Sequence, residues 1–226
     1  MMMMRVAFVL LLAAYAHACG KPSYEPSLTR VVNGVDARPY SWPWQISLQY
    51  RSGSSYYHTC GGTLLSPNWI LTAGHCIGND IAMMKLSSPV VMNDKVQAAC
   101  VPPSGEVSPH NDPCYITGWG RIFSGGPLAS KLQQAILPVV GHSVCSSGGW
   151  WGSYVKTTMI CAGGDIRSGC HGVTSFVSAA GCNTIQKPTV FTRTSSFTQW
   201  ISDVSLRYSP YITQPEGEGH LRVSDK

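Results

Sequence analysis

The sequence contains the three groups that covalent acyl transfer through a serine requires: a base, an orienting acid and a hydroxyl group. His75 precedes a cysteine, only four residues separate it from Asp80, and Ser124 opens a Ser-Gly-Gly-Pro string. Taken alone, a histidine beside a cysteine in a β protein more often has a packing role, and geometry rather than a string defines a catalytic triad. The surrounding residues therefore have to decide whether these groups act together.

Composition places these residues in a globular, β-rich protein. The 226 residues suit one large domain or two small ones, 44% are apolar and only 12% are charged. The 23 Gly and 15 Pro favour many turns and short strands, which argues against a coiled coil, and the apolar content argues against disorder. The net charge of +5 comes without a basic run, so we expect no nucleic-acid partner.

The cysteine count and the N-terminus indicate secretion. Nine cysteines are many for a reducing cytosol, and the odd number leaves one thiol without an internal partner. Residues 1–18 have the three parts of a signal peptide: Arg5, an apolar run over 6–15 that is too short for a membrane span, and Ala-His-Ala at 16–18. A buried helix is the alternative. We expect a secreted, extracellular chain that begins near Cys19 and has no membrane anchor.

Short strands dominate the region from residue 44 to about 204. Residues 45–50 alternate polar and apolar side chains, as a half-buried strand does. Apolar side chains at i, i+3, i+4 and i+7 from Phe197 predict a C-terminal helix, which Ser195 or Ser196 can cap. The pattern predicts an all-β fold of antiparallel strands, in a sandwich or barrels.

Two segments lack a periodic apolar face. Residues 20–30 are polar and contain proline, which predicts an exposed linker. Arg30 precedes Val31 on this linker, an arrangement that fits a trypsin-type cleavage site or, by this string alone, an ordinary surface arginine. Residues 207–226 are predicted to form a disordered tail.

Several strings resemble the chymotrypsin-like serine protease family. Residues 60–64 read Cys-Gly-Gly-Thr-Leu and residues 71–76 read Leu-Thr-Ala-Gly-His-Cys, so two cysteines, a glycine pair and a histidine recur at the family's spacing. Val-Val-Asn-Gly at 31–34 is similar to the family's activated N-terminus, and Gly-Trp-Gly at 118–120 is a further family string. Gly-Asp-Ile-Arg-Ser-Gly-Cys at 164–170 is most similar to the chymotrypsin-like elastase 3 branch.

The resemblance implies an all-β fold of two antiparallel Greek-key β-barrels with a C-terminal helix. It also implies polypeptide substrates or protease inhibitors as partners, trypsin as the activating protease, and a monomer. We expect no cofactor and no metal, because the loop that binds calcium in relatives falls in a segment that this chain lacks. The expected organisation is a signal peptide at 1–18, an activation propeptide at 19–30, an N-terminal barrel at 31–96, a C-terminal barrel with its helix at 97–206, and the tail at 207–226.

The same resemblance assigns roles to individual residues. His75 matches the general base of the family, and Asp80 resembles the acid that orients this base. In the substrate pocket, Ser168 would lie at the base with Val177 and Thr189 on the walls, which favours small or medium apolar side chains. Plain barrel packing is the alternative for these pocket residues. The edge that pairs with substrate as an added β-strand would be Ser175, Phe176 and Val177.

The family's disulfides account for eight of the nine cysteines. Cys114 is left over, because its family partner belongs to a segment that this chain lacks. No His/Cys cluster outside the disulfide pattern has zinc spacing. The implied pairs are Cys19–Cys100, Cys60–Cys76, Cys145–Cys161 and Cys170–Cys182.

Two family segments are missing from the sequence. The nucleophile motif Gly-Asp-Ser-Gly-Gly-Pro should follow Cys170, but His-Gly-Val-Thr-Ser follows at 171–175. The lost residues would carry the nucleophile, the oxyanion-hole amides and the acid that pairs with the freed amine of Val31. A second segment is missing between His75 and Asp80, so we expect an incomplete first barrel with exposed strand edges.

The sequence therefore supports three hypotheses. The chain resembles a secreted elastase-like endopeptidase that digests dietary protein, yet it lacks the nucleophile, so we predict an inactive chain that is an aberrant isoform or gene model. An inactive homologue that acts as a secreted binding protein is the first alternative. An active serine endopeptidase is the second, if the missing segments are an artefact. The Ser124 string does not replace the nucleophile motif, because it lacks the preceding Gly-Asp.

Overall fold

In the part of the chain that the computed structural model describes, ten strands carry the fold. The structure describes residues 19–26, 34–76, 81–121, 125–164, 184–208 and 222–224. The strands are β1 (Val35–Asp36), β2 (Gln45–Ser52), β3 (Ser55–Ser66), β4 (Trp69–Ala73), β5 (Ile81–Lys85), β6 (Pro113–Gly118), β7 (Gln133–Val140), β8 (Met159–Ala162), β9 (Thr189–Thr192) and β10 (Arg222–Ser224). The helices are α1 (His142–Cys145) and α2 (Thr198–Arg207), with 3₁₀ turns at Gly74–Cys76, Gly152–Tyr154 and Thr194–Ser196.

The N-terminal sheet has the order β10-β2-β3-β4-β5, and all of its pairs are antiparallel. A two-residue turn joins β2 to β3, with Gly53 at a φ of 61° that suits glycine. Gly62 lies so close to β4 that a Cβ atom there would sit 2.8 Å from Cγ2 of Ile70. This close approach explains why the Cys-Gly-Gly string needs glycine at that position. The core of the sheet is formed by Ile46, Leu48, Leu64 and Ile70.

The second sheet is built around β7. Strand β6 pairs along one edge of β7, and β1 and β8 pair with the two ends of its other edge. Strand β9 then pairs with β8. Two buried clusters pack against this sheet. They consist of Ile116, Ala135, Leu137 and Ala162, and of Val140, Cys145, Val155, Cys161 and Val190.

The mostly-β fold with a C-terminal helix is confirmed. Helix α2 buries Ile201, one of the positions in the predicted apolar stripe. The predicted serine cap is wrong, because Phe197 holds the N-cap position without a side-chain hydrogen bond. Ser195 instead lies in the preceding 3₁₀ turn and donates its hydroxyl to the carbonyl of Glu106 at 2.5 Å. In the parts of the chain that the structure describes, the helices are too short and too polar to cross a membrane.

The prediction of a disordered tail over 207–226 is wrong at two places. Helix α2 includes Arg207, and Arg222–Ser224 form a strand that pairs with β2. Residue patterns did not predict this strand, because pairing through the backbone requires no periodic apolar face. The predicted signal peptide at 1–18 and the cleavage site at Arg30 and Val31 lie outside the described residues.

Candidate functional site

His75 occupies an exposed turn that the end of β4 carries out of the core. Four of the five residues of β4 are buried, and Gly74 is buried too, so the strand fixes where the turn begins. The ring of His75 is then exposed. The Cys60–Cys76 disulfide ties this turn to β3. The sequence string therefore places the histidine on a rigid, accessible support.

No partner for the His75 ring is present among the residues whose positions the structure gives. Asp80, the predicted orienting acid, lies outside the described residues. Strand β5 begins at Ile81, whose Cα partner is Ala73 at the end of β4. The start of β5 therefore lies next to the end of β4, from which the His75 turn begins. Only four residues separate His75 from Asp80 in the sequence.

Three of the implied disulfides are present in the structure. Cys19–Cys100 ties residues 19–26 to the chain before β6, and the Gly20 amide donates to the Ala98 carbonyl at 3.0 Å beside it. Cys60–Cys76 holds the His75 turn, and Cys145–Cys161 joins α1 to β8. Cys170 and Cys182 lie outside the described residues.

Cys60, His75 and Cys76 bring three potential metal ligands within 4.8 Å of one another. The two sulfur atoms are bonded to each other, so neither is a thiolate that could ligate zinc. The cluster is therefore a disulfide beside an exposed imidazole.

Only one predicted pocket residue lies within the described chain. Thr189 is buried at the start of β9, where its Cα partner is Ala162. Its role as a pocket wall stays a prediction, because the rest of the pocket falls in a segment outside the described residues. The pocket and edge residues there are Ser168, Ser175, Phe176 and Val177.

Cys114 is a free, half-buried thiol on β6. Burial raises the pKa of this thiol, and the nearby charge of Asp112 raises it further. At neutral pH the group is therefore held as the poorly nucleophilic thiol.

Alkylation measures this protection directly. At pH 8 we expect iodoacetamide to modify Cys114 at least about tenfold more slowly in the native chain than in urea, because burial disfavours the thiolate. Asp112→Asn removes the smaller of the two causes and should accelerate the native reaction only modestly. Equal rates in native and denatured protein would show that the thiol is not buried.

A second histidine makes a hydroxyl contact that the sequence patterns did not reveal. Nδ1 of His58 lies 2.8 Å from Oγ of Ser47, and Nε2 of Gln49 donates to the same oxygen at 3.2 Å. The ring of Trp119 packs against His58 with 5.4 Å between ring centroids. Ser47 is only 4% exposed, so its hydroxyl is shielded from a substrate, whereas His58 is half-buried. The alternation of β2 puts Ser47 and Gln49 on one face, and this pattern is the sequence feature from which a polar contact there could have been predicted.

Burial lowers the pKa of His58, so folding favours the neutral form of its ring. The unfolded chain binds a proton near the ordinary value of 6.5 while the folded chain resists it, so stability is lost as pH falls below that value. We expect the free energy of unfolding to fall from pH 7.5 to pH 5.5, and to fall less in His58→Gln. Identical slopes, measured by urea titration, would contradict this assignment.

The two sheets are joined by side-chain hydrogen bonds. Thr117 donates its hydroxyl to Oε1 of Gln45 at 2.6 Å, and Nε1 of Trp42 donates to Oε1 of Gln134 at 2.8 Å. A groove of about 740 Å³ opens beside these contacts. It is lined by aromatic and basic side chains that include Tyr40, Trp42, Trp119, Arg38, Lys95 and Lys131.

Comparison with known proteins assigns the family. The sequence model described as Trypsin matches residues 31–79 and 77–201. The chain belongs to the trypsin family. Human chymotrypsin-like elastase family member 3B is 48% identical over 266 positions, covering 89% of this chain and 98% of that protein. Proproteinase E of Bos taurus is 47% identical over 247 positions, covering 81% of this chain and 97% of that protein.

The identity to these relatives confirms the resemblance to the elastase 3 branch. Human family member 3A is 47% identical over 266 positions, with the same 89% of this chain and 98% of the relative covered. The string at 71–76, which contains His75, lies within the residues that the Trypsin model matches. The match ends at residue 201, before the end of α2 and the tail strand β10.

Proposed function

We propose that this chain is a secreted, elastase-type member of the trypsin family that has no peptidase activity. One observation carries the proposal: Cys170 is followed by His-Gly-Val-Thr-Ser at 171–175, where the family has Gly-Asp-Ser-Gly-Gly-Pro. Without that segment the chain lacks the nucleophile and the amides that stabilise the oxyanion. It also lacks the acid that would pair with the amine of Val31 after cleavage at Arg30.

The length of the alignments supports missing segments. The alignment to human family member 3B spans 266 positions, whereas this chain has 226 residues in total. The relative therefore has residues opposite gaps in this chain. The Trypsin match also falls into two pieces that meet at residues 77–79, where the first missing segment was expected.

Neither of the remaining serine candidates restores a triad. Ser47 contacts His58 rather than His75, and it is buried. The string of Ser124 belongs to the connection between β6 and β7, where Arg121 bridges to Leu128. Ser124 itself lies outside the described residues, and its string lacks the Gly-Asp that precedes the nucleophile in the family motif.

The chain is secreted and is cleaved by trypsin in its propeptide. Residues 1–18 act as the signal peptide, and trypsin cleaves between Arg30 and Val31 in an extracellular compartment. The clean loss of two internal segments favours an aberrant isoform or gene model over an evolved pseudoenzyme, which would keep the barrel and substitute single residues. A monomeric binding protein for polypeptides or protease inhibitors is the second candidate, supported by the three disulfides and the packed sheets.

The direct test is a fluorophosphonate probe on purified chain that has been treated with immobilised trypsin. We expect no serine to be labelled. Labelling at Ser124 or at any other serine overturns the proposal. Transcript reads across the 78–79 and 170–171 junctions then separate an aberrant product from a stable homologue, since longer reads that restore both segments return the active-protease hypothesis.

A further inference from the structure

The outer edge of β2 carries an added strand from the C-terminal tail. On its inner edge, β2 pairs with β3 over its whole length, from Gln45 to Ser52. On its outer edge, Ser47, Leu48 and Gln49 pair antiparallel with Ser224, Val223 and Arg222. A strand edge with unpaired N–H and C=O groups is a template for another extended segment.

The direction of the β2 backbone groups follows from one hydrogen bond. The amide of Leu64 on β3 donates to the carbonyl of Trp44 at 2.9 Å, so Trp44 faces β3. Because backbone groups alternate along an antiparallel strand, Ser47 faces the outer edge. Ser47 and Ser224 therefore form a hydrogen-bonding pair, whereas the amide of Val223 points away from β2.

The tail is long enough to reach this edge from within the same molecule. Helix α2 ends beside the opposite edge of the same sheet, where Nζ of Lys85 on β5 donates to the carbonyl of Tyr208 at 2.5 Å. Four strand spacings separate β5 from β10, or about 19 Å. Residues 209–221 can span about 45 Å when extended. A second copy of the chain is not needed to supply the strand.

The tail strand is also independent of the family match. The Trypsin match ends at residue 201, so family membership does not account for Arg222–Ser224. The pairing uses backbone groups, which are the basis of recognition when an extended peptide is added to a sheet edge.

We propose that the outer edge of β2 is a binding edge for an extended polypeptide, and that Arg222–Ser224 of the same chain are its occupant. The tail covers the edge at Ser47, Leu48 and Gln49 and prevents pairing of these residues with other chains. This inference does not depend on the absence of peptidase activity.

The test uses the chain truncated after Tyr208 and a fluorescent peptide with the sequence of residues 217–226. We expect the peptide to bind the truncated chain at least about tenfold more tightly than the full chain, whose edge is already occupied. Ser224→Pro in the peptide removes an amide that faces β2 and should abolish binding. Val223→Pro removes an amide that faces away and is the matched control, with affinity retained within about threefold.

Two outcomes would overturn the proposal: equal affinity for the truncated and full chains, or equal effects of the two proline substitutions. If the truncated chain does not fold, hydrogen exchange on the full chain decides. The amides of Arg222 and Ser224 should be protected in the full chain and in its Val223→Pro variant, and protection should be lost in Ser224→Pro. Protection that appears only at concentrations where light scattering shows a dimer would assign the edge to a second copy and contradict pairing within one chain.

Discussion

Removal of the His75 ring is expected to leave the reactivity of the trypsin-treated chain unchanged. In a serine protease with a complete triad, loss of the histidine costs about a millionfold in kcat. Here the exposed ring of His75 has no described hydroxyl partner, and the nucleophile motif is missing after Cys170. We expect the wild type and His75→Ala to show the same background hydrolysis of a small apolar ester or peptide substrate, within about twofold.

Ser124→Ala is the matched control for this experiment. The serine in the Ser-Gly-Gly-Pro string is expected to contribute nothing, so the variant and the wild type should be equally unlabelled by the fluorophosphonate probe. Trypsin is removed on its solid support before the probe is added, because trypsin itself reacts with it. A drop in rate of more than tenfold in either variant would reveal a working pair of base and nucleophile, and the proposed inactivity would be wrong.

Leu64→Ala is expected to lower the free energy of unfolding by about 2–5 kcal/mol. Leu64 is fully buried on β3, where it packs with Ile46, Leu48 and Ile70. Truncation leaves a cavity that the disulfide-tied sheet has little freedom to close. Because native domains are stable by only about 5–15 kcal/mol, this loss should move the urea midpoint strongly.

The control is Leu128→Ala, which removes the same atoms from a side chain that is 51% exposed and should cost less than about 0.5 kcal/mol. A large difference between the two variants, with one sharp transition in each, would show that the N-terminal sheet is a packed core in spite of the missing segments. A broad transition in the wild type, insensitive to Leu64→Ala, would mean that the chain does not hold this core. That result would favour the aberrant product over the binding homologue.

The parts of the structure that could be predicted are those determined by residues close together in the sequence. The alternation over 45–50 predicted strand β2, and the stripe around Ile201 predicted α2. The expected half-burial of β2 is wrong at Ser47, which is buried together with its neighbours Ile46 and Leu48. The strings at 60–64 and 71–76 fixed the fold and the Cys60–Cys76 pair through the family. Gly62 is part of such a string because β4 leaves no room for a Cβ atom.

The parts that could not be predicted depend on residues far apart in the chain. The contact of Ser47 with His58 requires the register of the β2–β3 hairpin, and the packing of Trp119 against His58 requires both sheets. The start of α2 was misplaced because Ser195 finds a carbonyl acceptor on Glu106 instead of a helix amide.

By itself, the sequence determined that this is a β protein of the trypsin family with a histidine on a disulfide-tied turn and no nucleophile motif. These features depend on residue type and on the spacing of neighbouring residues, so they can be recognised from short stretches of the sequence. Only the tertiary structure decided that Arg222–Ser224 add a strand to β2 and that Ser47 and His58 contact each other. Backbone pairing and long-range contacts arise from the register of distant segments, and a tail without a periodic face carries no sequence signal for them.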